Sequence, residues 1–296
     1  SLLTGQHTAR NRMWHVIGWY GTPWARVREP AFRENLPRES FIFPKALRAA
    51  GYATGIAGKW HVTNNADGNY VSLRPEAATH YGFDFSAPLA AGSQNEGDKQ
   101  VNYLTDQAIG FIRGHRDRPW FFLLTHHTVH GVVSAPPELV RKHLAAGAPA
   151  EGLHNATYLA ALEHLDGSIG RLLAAMDQLG LREQTIVVFL SDNGGVFRQW
   201  DPEPSRTGSG AILPLVERGR EFSNAPLRAG KGTLYEGGTR DPFIVRGIEN
   251  FLSACVGIAR YPEHGNDPDT LMQNADAAMY AVKSSGRNGV RVYSPE

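Results

Sequence analysis

One cysteine, Cys255, stands among the 296 residues. A lone thiol closes no disulfide within the chain and leaves the redox compartment open. Charge of one sign is also missing, because 30 Lys and Arg face 29 Asp and Glu for a formal +1. That balance removes the bulk electrostatic signature of a nucleic-acid or membrane partner, and neither is expected. No apolar run approaches the roughly 20 residues that span a bilayer. The first residues, Ser1 to His7, have no basic start, no long apolar core and no initiator methionine. They are not expected to be a secretory signal, and the sequence reads as starting in mid-domain. With 42% hydrophobic and 20% charged residues, the composition is that of a globular protein with one large or two smaller domains.

Against these absences, Thr185 to Gly195 (TIVVFLSDNGG) is an unbroken apolar run that stops on oxygen-bearing side chains. Its lack of alternation predicts a strand buried on both faces, as inside a parallel sheet. Ligands of such sheets gather at the carboxyl ends of the strands, where Asp192 and Asn193 stand. A carboxylate beside a carboxamide offers hard oxygen ligands to Ca2+ or Mg2+. The same four residues are also ordinary turn chemistry.

Other stretches repeat the pattern. Ser40 to Ala50 predicts a helix with Pro44 near its start and Gly51 as its stop. A strand from Tyr52 to Ala57 then empties into Gly58-Lys59-Trp60-His61, where a spacing of two can point Lys59 and His61 the same way. Asn64 to Gly97 lacks periodicity and reads as a long surface loop. Val101 to His115 predicts an amphipathic helix with Tyr103, Leu104, Ala108, Phe111 and Ile112 on one side. Pro119 to Leu124 is a second buried-strand pattern, and it runs into three histidines, His126, His127 and His130. Asn155 to Gly180 is the most regular helix, with leucines at three and four spacing and Gly180 as its stop. Phe197 to Asn224 is irregular, Lys231 is flanked by glycines, and Pro242 to Arg246 is a short strand. Strands alternating with helices predict an α/β fold with a helix-covered, mostly parallel sheet.

Four motifs in this order resemble the sulfatase family of the alkaline phosphatase superfamily. They are GYATGIAGKWH (51–61), FFLLTHHTVH (121–130), LSDNG (190–194) and PLRAGKGTLYEGG (226–238). The resemblance implies an alkaline-phosphatase-like sandwich, with a mixed, mostly parallel sheet between helices, incomplete at its N-terminus. It implies that Asp192 and Asn193 bind Ca2+, with Mg2+ as an alternative, and that Lys59 and Lys231 grip sulfate oxygens. His61 would orient the nucleophile, and His130 would contact the sulfate and the leaving oxygen as an acid. His127 is a weaker candidate, and Ser93 matches a family serine near the nucleophile. The family uses a formylglycine made from a Cys-x-Pro-Ser-Arg motif, which these residues lack; Ser1 to Gly5 resembles the segment that follows it. The chain as printed is therefore expected to be inactive, although its family hydrolyses small-molecule or glycan sulfate esters. Phosphate or phosphonate esters remain open as substrates. Members are often periplasmic or secreted.

The tail carries a second resemblance. Phe251 to Pro262 and Asp269 to Asn288 are similar to the last strand-helix unit of the GGDEF family of diguanylate cyclases, through ADAAMY (275–280), Lys283 and GRN (286–288). The family's Gly-Gly-Asp/Glu-Glu-Phe loop is absent. In that family residues matching Lys283 and Arg287 contact nucleotide phosphates, so a degenerate signalling or nucleotide-binding module is the alternative function. The expected division is 1–246, sulfatase-like, and 247–296, a GGDEF-like C-terminal fragment with a short strand-helix unit, as in a fragmentary, recombined or wrongly assembled reading frame joined near Gly247 to Asn250. Cys255 is expected to be buried on its strand.

Overall fold

The computed structural model describes residues 2–13, 30–64, 71–90, 97–131, 133–195, 222–246, 255–260, 262–285 and 289–294. Its helices are α1 (Thr8–Asn11), α2 (Phe43–Ala49), α3 (Pro75–Ala78), α4 (Val101–Gly114), α5 (Pro137–Ala145), α6 (Ala156–Gln178), α7 (Glu236–Thr239) and α8 (Pro268–Ser284). The strands are β1 (Ala53–Gly58), β2 (Phe85–Ala87), β3 (Trp120–Thr125), β4 (Val187–Leu190), β5 (Phe243–Arg246), β6 (Cys255–Ile258) and β7 (Gly289–Val292). Contacts divide the chain into two compact units, Ser1–Val245 and Arg246–Glu296.

In the first unit β1 lies between β2 and β3 and is parallel to both. All six residues of β1 are buried, as a central strand covered on both faces requires. Ile42, Ile56, Trp60, Leu73, Tyr81 and Phe83 pack into one core, with Trp60 meeting Tyr81 at 5.4 Å and Phe83 at 5.9 Å between ring centroids. Helix α4 packs on β1 and β3 and against α6.

The most regular sequence signals produced the most regular helices. Pro44 occupies the first turn of α2, where its missing N–H is no loss. Asn155 caps α6 by accepting a hydrogen bond from Tyr158 N at 3.0 Å. At the other end Gly180 takes the left-handed conformation (φ 67) while Leu181 N returns to Met176 O.

Four expectations are corrected. Asn64 to Gly97 is not simply a surface loop: it contributes α3, a 3-10 turn over Thr79–Tyr81, β2, and the buried residues Leu73, Tyr81, Phe83 and Leu89. The elements of that stretch are three or four residues long, too short to show a period. Tyr103 is exposed, because the buried stripe of α4 runs through Val101, Leu104, Thr105, Ala108, Phe111 and Ile112. In α6 the deepest positions are Ala156, Ala160, Ala161, Ser168, Ala175 and Met176, and Leu162 is exposed. Small residues there allow close approach to α4, where the Ser168 and Thr105 hydroxyls meet. Finally, β4 is not buried on both faces: Val188, Phe189 and Leu190 are exposed. Among the described strands β4 pairs with β5 alone, and Phe243 and Ile244 of β5 are exposed as well.

The second unit is a parallel β6–α8–β7 crossover, with Cys255 paired to Gly289 and Ile258 to Val292. Asp267 caps α8 through Thr270 N at 2.9 Å, and α8 packs on both strands. No described helix is long and apolar enough to cross a membrane.

Candidate functional site

Hydrogen bonds between loop and strand ends gather the motif residues of the first unit. Lys59 N donates to Thr125 O at 2.8 Å, and Thr125 Oγ1 returns a bond to Lys59 O at 2.6 Å, so the ends of β1 and β3 are tied together. Gly58 is required at this junction. Its φ is +105°, and a Cβ there would lie 2.1 Å from Thr125 O. Two residues beyond Lys59 the chain turns through His61, whose φ is 55°.

The loop after β4 interlocks with the stretch before β5 in the same manner. Gly194 N donates to Gly238 O at 3.0 Å, and Lys231 N donates to Gly195 O at 2.9 Å. A Cβ on Gly194 would fall 1.8 Å from Gly237 O, so only glycine fits at this crossing. Asn224 Nδ2 bridges Gly195 O and Ala229 O, each at 3.0 Å. These contacts set Lys231 beside Asp192.

The side chains then form a charged cluster. Lys59 Nζ lies 3.3 Å from Asp192 Oδ2. Partial desolvation by its neighbours works to raise the Asp192 carboxyl, although its side chain stays 67% exposed, but the ammonium groups of Lys59 and Lys231 outweigh it, and its pKa is lowered. Lys231 is itself lowered, by burial and then by Lys59, with Asp192 opposing. Asn193 Nδ2 donates to Gly194 O at 3.0 Å, which leaves the carboxamide oxygen as the atom suited to a cation.

His130 belongs to the same cluster. Burial pushes its imidazole down to about 4, and Lys231, Lys59 and Lys99 push the same way, while a bond to the Gly131 carbonyl opposes them. A carbonyl can only accept, so Nδ1, 2.5 Å from Gly131 O, carries the hydrogen and Nε2 is the unprotonated nitrogen of the neutral ring. His127 is buried and stacks on His130, with ring centroids 4.6 Å apart.

Of the residues expected at the site, Lys59, Asp192, Lys231 and His130 are linked by contact or by mutual electrostatic influence. Asn193 adjoins Asp192 and His61 follows Lys59 by two residues, whereas Ser93 lies outside the described residues. Sequence reasoning missed two members. Asp241 is raised by burial and by the neighbouring charge of Asp192, and its Oδ1 is buried without a hydrogen-bond partner. Lys99 is 1% exposed and donates to the backbone oxygen of His130. An aspartate at the start of a strand and a lysine in a polar stretch carry no sequence signal of their own. Among the described residues, no group of three or more His, Cys, Asp or Glu is arranged to hold a metal ion.

Comparison with known proteins decides the family. The family model described as Sulfatase matches residues 1–274. The chain belongs to the sulfatase family. It is 28% identical to arylsulfatase A of Homo sapiens over 280 residues, covering 82% of this chain and 47% of that protein. To the steryl-sulfatase of Mus musculus it is 36% identical over 143 residues, 48% of this chain and 19% of that one. The chain thus spans less than half the length of these curated relatives. Among solved structures, i-CgsB bound to neocarrahexaose superposes with a TM-score of 0.60 at 21% identity, over 84% of this chain and 54% of that one. The BT4656 complex gives 0.54 at 17% identity, over 83% and 60%. These likenesses show the alkaline-phosphatase-like sulfatase fold, α/β with a mostly parallel sheet. The family match runs on to residue 274, across position 247 and into the segment that resembles the cyclases, and it lends that second resemblance no support.

Proposed function

We propose that this chain carries the anion and cation sites of a sulfuric ester hydrolase, with Lys59, Lys231 and His130 on the sulfate group and Asp192 with Asn193 on a divalent cation. The observation that carries the reading is the convergence of Lys59 and Lys231 on one carboxylate, Asp192, at the loop ends that also hold His130. A sulfate ester is an anion whose S–O cleavage places charge on nonbridging and departing oxygens, and fixed cations at that position favour the transition state. Lysine suits the task as a compact charge.

A divalent cation fits the donor set. Asp192 is held ionised, Asn193 offers an amide oxygen, and Asp241 brings an unpartnered buried oxygen whose ionised form a cation would favour. Ca2+ is the cation proposed, with Mg2+ as the alternative; once bound it would neutralise charge on the sulfate oxygens, and the formylglycine of the family would supply the attacking oxygen. His61 would orient that nucleophile. His130 is neutral in the resting protein, so it meets the ester as a proton acceptor at Nε2. Burial and then the three lysines depress the ring; an arriving anion offsets the lysines' part, and the ring would then take a proton from solvent water and pass it to the leaving oxygen. Ser93 is retained as a substrate contact on sequence grounds.

The substrate class is a small-molecule or glycan sulfate ester. BT4656 is bound to D-glucosamine-2-N,6-O-disulfate, its substrate, and i-CgsB to a neocarrahexaose, which supports a glycan ester for a chain of the same fold. Residues 1–246 are read as the catalytic domain. A phosphate or phosphonate ester would suit the same cations. The nucleotide-binding reading of 247–296 rests on sequence resemblance alone, since the Lys283 side chain and Arg287 lie outside what is described.

Calorimetry with inorganic sulfate and with Ca2+ tests the reading. Sulfate binding is expected to be lost in Lys231→Ala, and Ca2+ binding in Asp192→Ala. Absence of both in the unaltered chain, or heat from GTP or cyclic di-GMP alone, refutes it. Tighter binding of inorganic phosphate than of sulfate moves the assignment to phosphate esters.

A further inference from the structure

Lys99 is a site-facing group for which the family resemblance supplies no role. It is 1% exposed, and burying an ammonium costs free energy unless it is paired or hydrogen-bonded. No described carboxylate lies within ion-pair range of its Nζ. The adjacent Asp98 is turned elsewhere, with Oδ1 accepting from Gln100 N at 2.9 Å and Oδ2 3.4 Å from His164 Nε2. Lys99 and Gln100 both adopt left-handed backbone, with φ 52° and 57°. For non-glycine residues that conformation is uncommon and is kept where the surroundings hold it. It brings the start of α4 to the histidine turn, where Nζ meets His130 O. The carbonyl it holds belongs to a turn closed by His130 N on His127 O at 2.9 Å.

We propose that Lys99 is a positioning residue for the sulfate site, its buried ammonium fixing the His130 backbone so that the imidazole stays among Lys59, Lys231 and the bound anion. The inference rests on the sulfate-site reading above. Lys99 touches no reacting atom; it acts through His130. The charges that face this imidazole are Lys231, Lys59 and Lys99. Burial lowers Lys99 to about 8, so it keeps most of its charge at neutral pH.

The test uses the full chain with isotope-labelled histidine and two variants, Lys99→Met and Lys99→Arg. Titration with inorganic sulfate is expected to show Lys99→Met binding on the order of tenfold more weakly, the scale of losing one charged hydrogen bond. The His130 imidazole resonances should move and titrate at higher pH, those of His126 should stay in place, and Lys99→Arg should restore both properties. Unchanged sulfate affinity together with an unchanged His130 spectrum in Lys99→Met overturns the proposal, as does failure of arginine to restore what methionine removes. If the unaltered chain binds no sulfate, the functional reading falls, and the His130 spectrum alone then decides the positioning role. If Lys99→Met does not fold, Lys99→Gln, which keeps an N–H donor without charge, takes its place in each comparison.

Discussion

Acidification should weaken the first unit through one buried imidazole that stands apart from the catalytic proposal. His126 is pushed down to about 4, first by burial and then by the charge of His164. In the unfolded chain it returns to the ordinary value of 6.5. Between these values the unfolded state binds a proton that the folded state refuses, so stability falls as pH drops from about 6.5 to about 4. Above 6.5 the imidazole is neutral in both states and the contribution is constant. At ~1.4 kcal/mol for each tenfold change, the loss across this window is on the order of 3 kcal/mol, a sizeable fraction of the ~5–15 kcal/mol that holds a domain folded. His130, also lowered to about 4, adds a loss of the same sign. Urea unfolding of the unaltered chain and of His126→Gln, followed at pH 7.5 and 4.5, isolates the His126 part. The variant should lose less stability over the interval by on the order of 3 kcal/mol. Equal losses in the two proteins, or a folded His126 resonance that titrates near its ordinary value, would show that the imidazole is not desolvated as described.

Two further substitutions probe the scaffold. Gly194→Ala drives a methyl into Gly237 O at the crossing of the two loops, and backbone cannot yield as a flexible side chain would. Loss of at least ~1–3 kcal/mol and disordering of Lys231 are expected, read as a lower melting temperature and the disappearance of sulfate binding; an unchanged melt would mean that the loops do not cross as described. Asn155→Ala removes the cap of α6 and should cost ~1 kcal/mol. Hydrogen exchange at Tyr158 and its neighbours should quicken before the rest of the helix changes, and uniform exchange along α6 would contradict that assignment.

How much of this was legible in the sequence follows from what each signal measures. Periodicity reports long elements and apolar runs report buried strands, so α4, α6, β1 and β3 could be read, while α3 and β2, three or four residues each, could not. Apolar content says that a strand can be buried but not what covers it. For that reason Val188, Phe189 and Leu190 read as core although they are exposed on β4. Leucine spacing located α6, yet its closest packing uses alanines and Ser168, because helix approach depends on what is small. The candidate cluster was legible where a motif carried its members, at Lys59, Asp192 and Lys231. It was illegible where tertiary packing alone brings a residue in, at Lys99 and Asp241.

The cluster also explains why three lysines can share so small a region before any ligand arrives. Lys59 lowers Lys231 and both act on His130, so before an anion arrives the lysines disfavour one another and a proton on the imidazole. Asp192 relieves part of that repulsion through its ion pair with Lys59, although the aspartate is itself largely exposed and the pair is weakened by solvent. An anion entering among the lysines gains from all of them at once and also permits His130 to accept a proton. On the proposed function, recognition of the ester and protonation of the imidazole would be electrostatically coupled. Removing Lys59 should disturb both, because Asp192 loses its counter-charge in the same step that the anion loses a ligand. In Lys59→Met the Asp192 carboxyl is expected to titrate at higher pH than in the unaltered chain, and sulfate binding is expected to weaken. An Asp192 titration that does not move would separate the two sites and break the argument that ties them together.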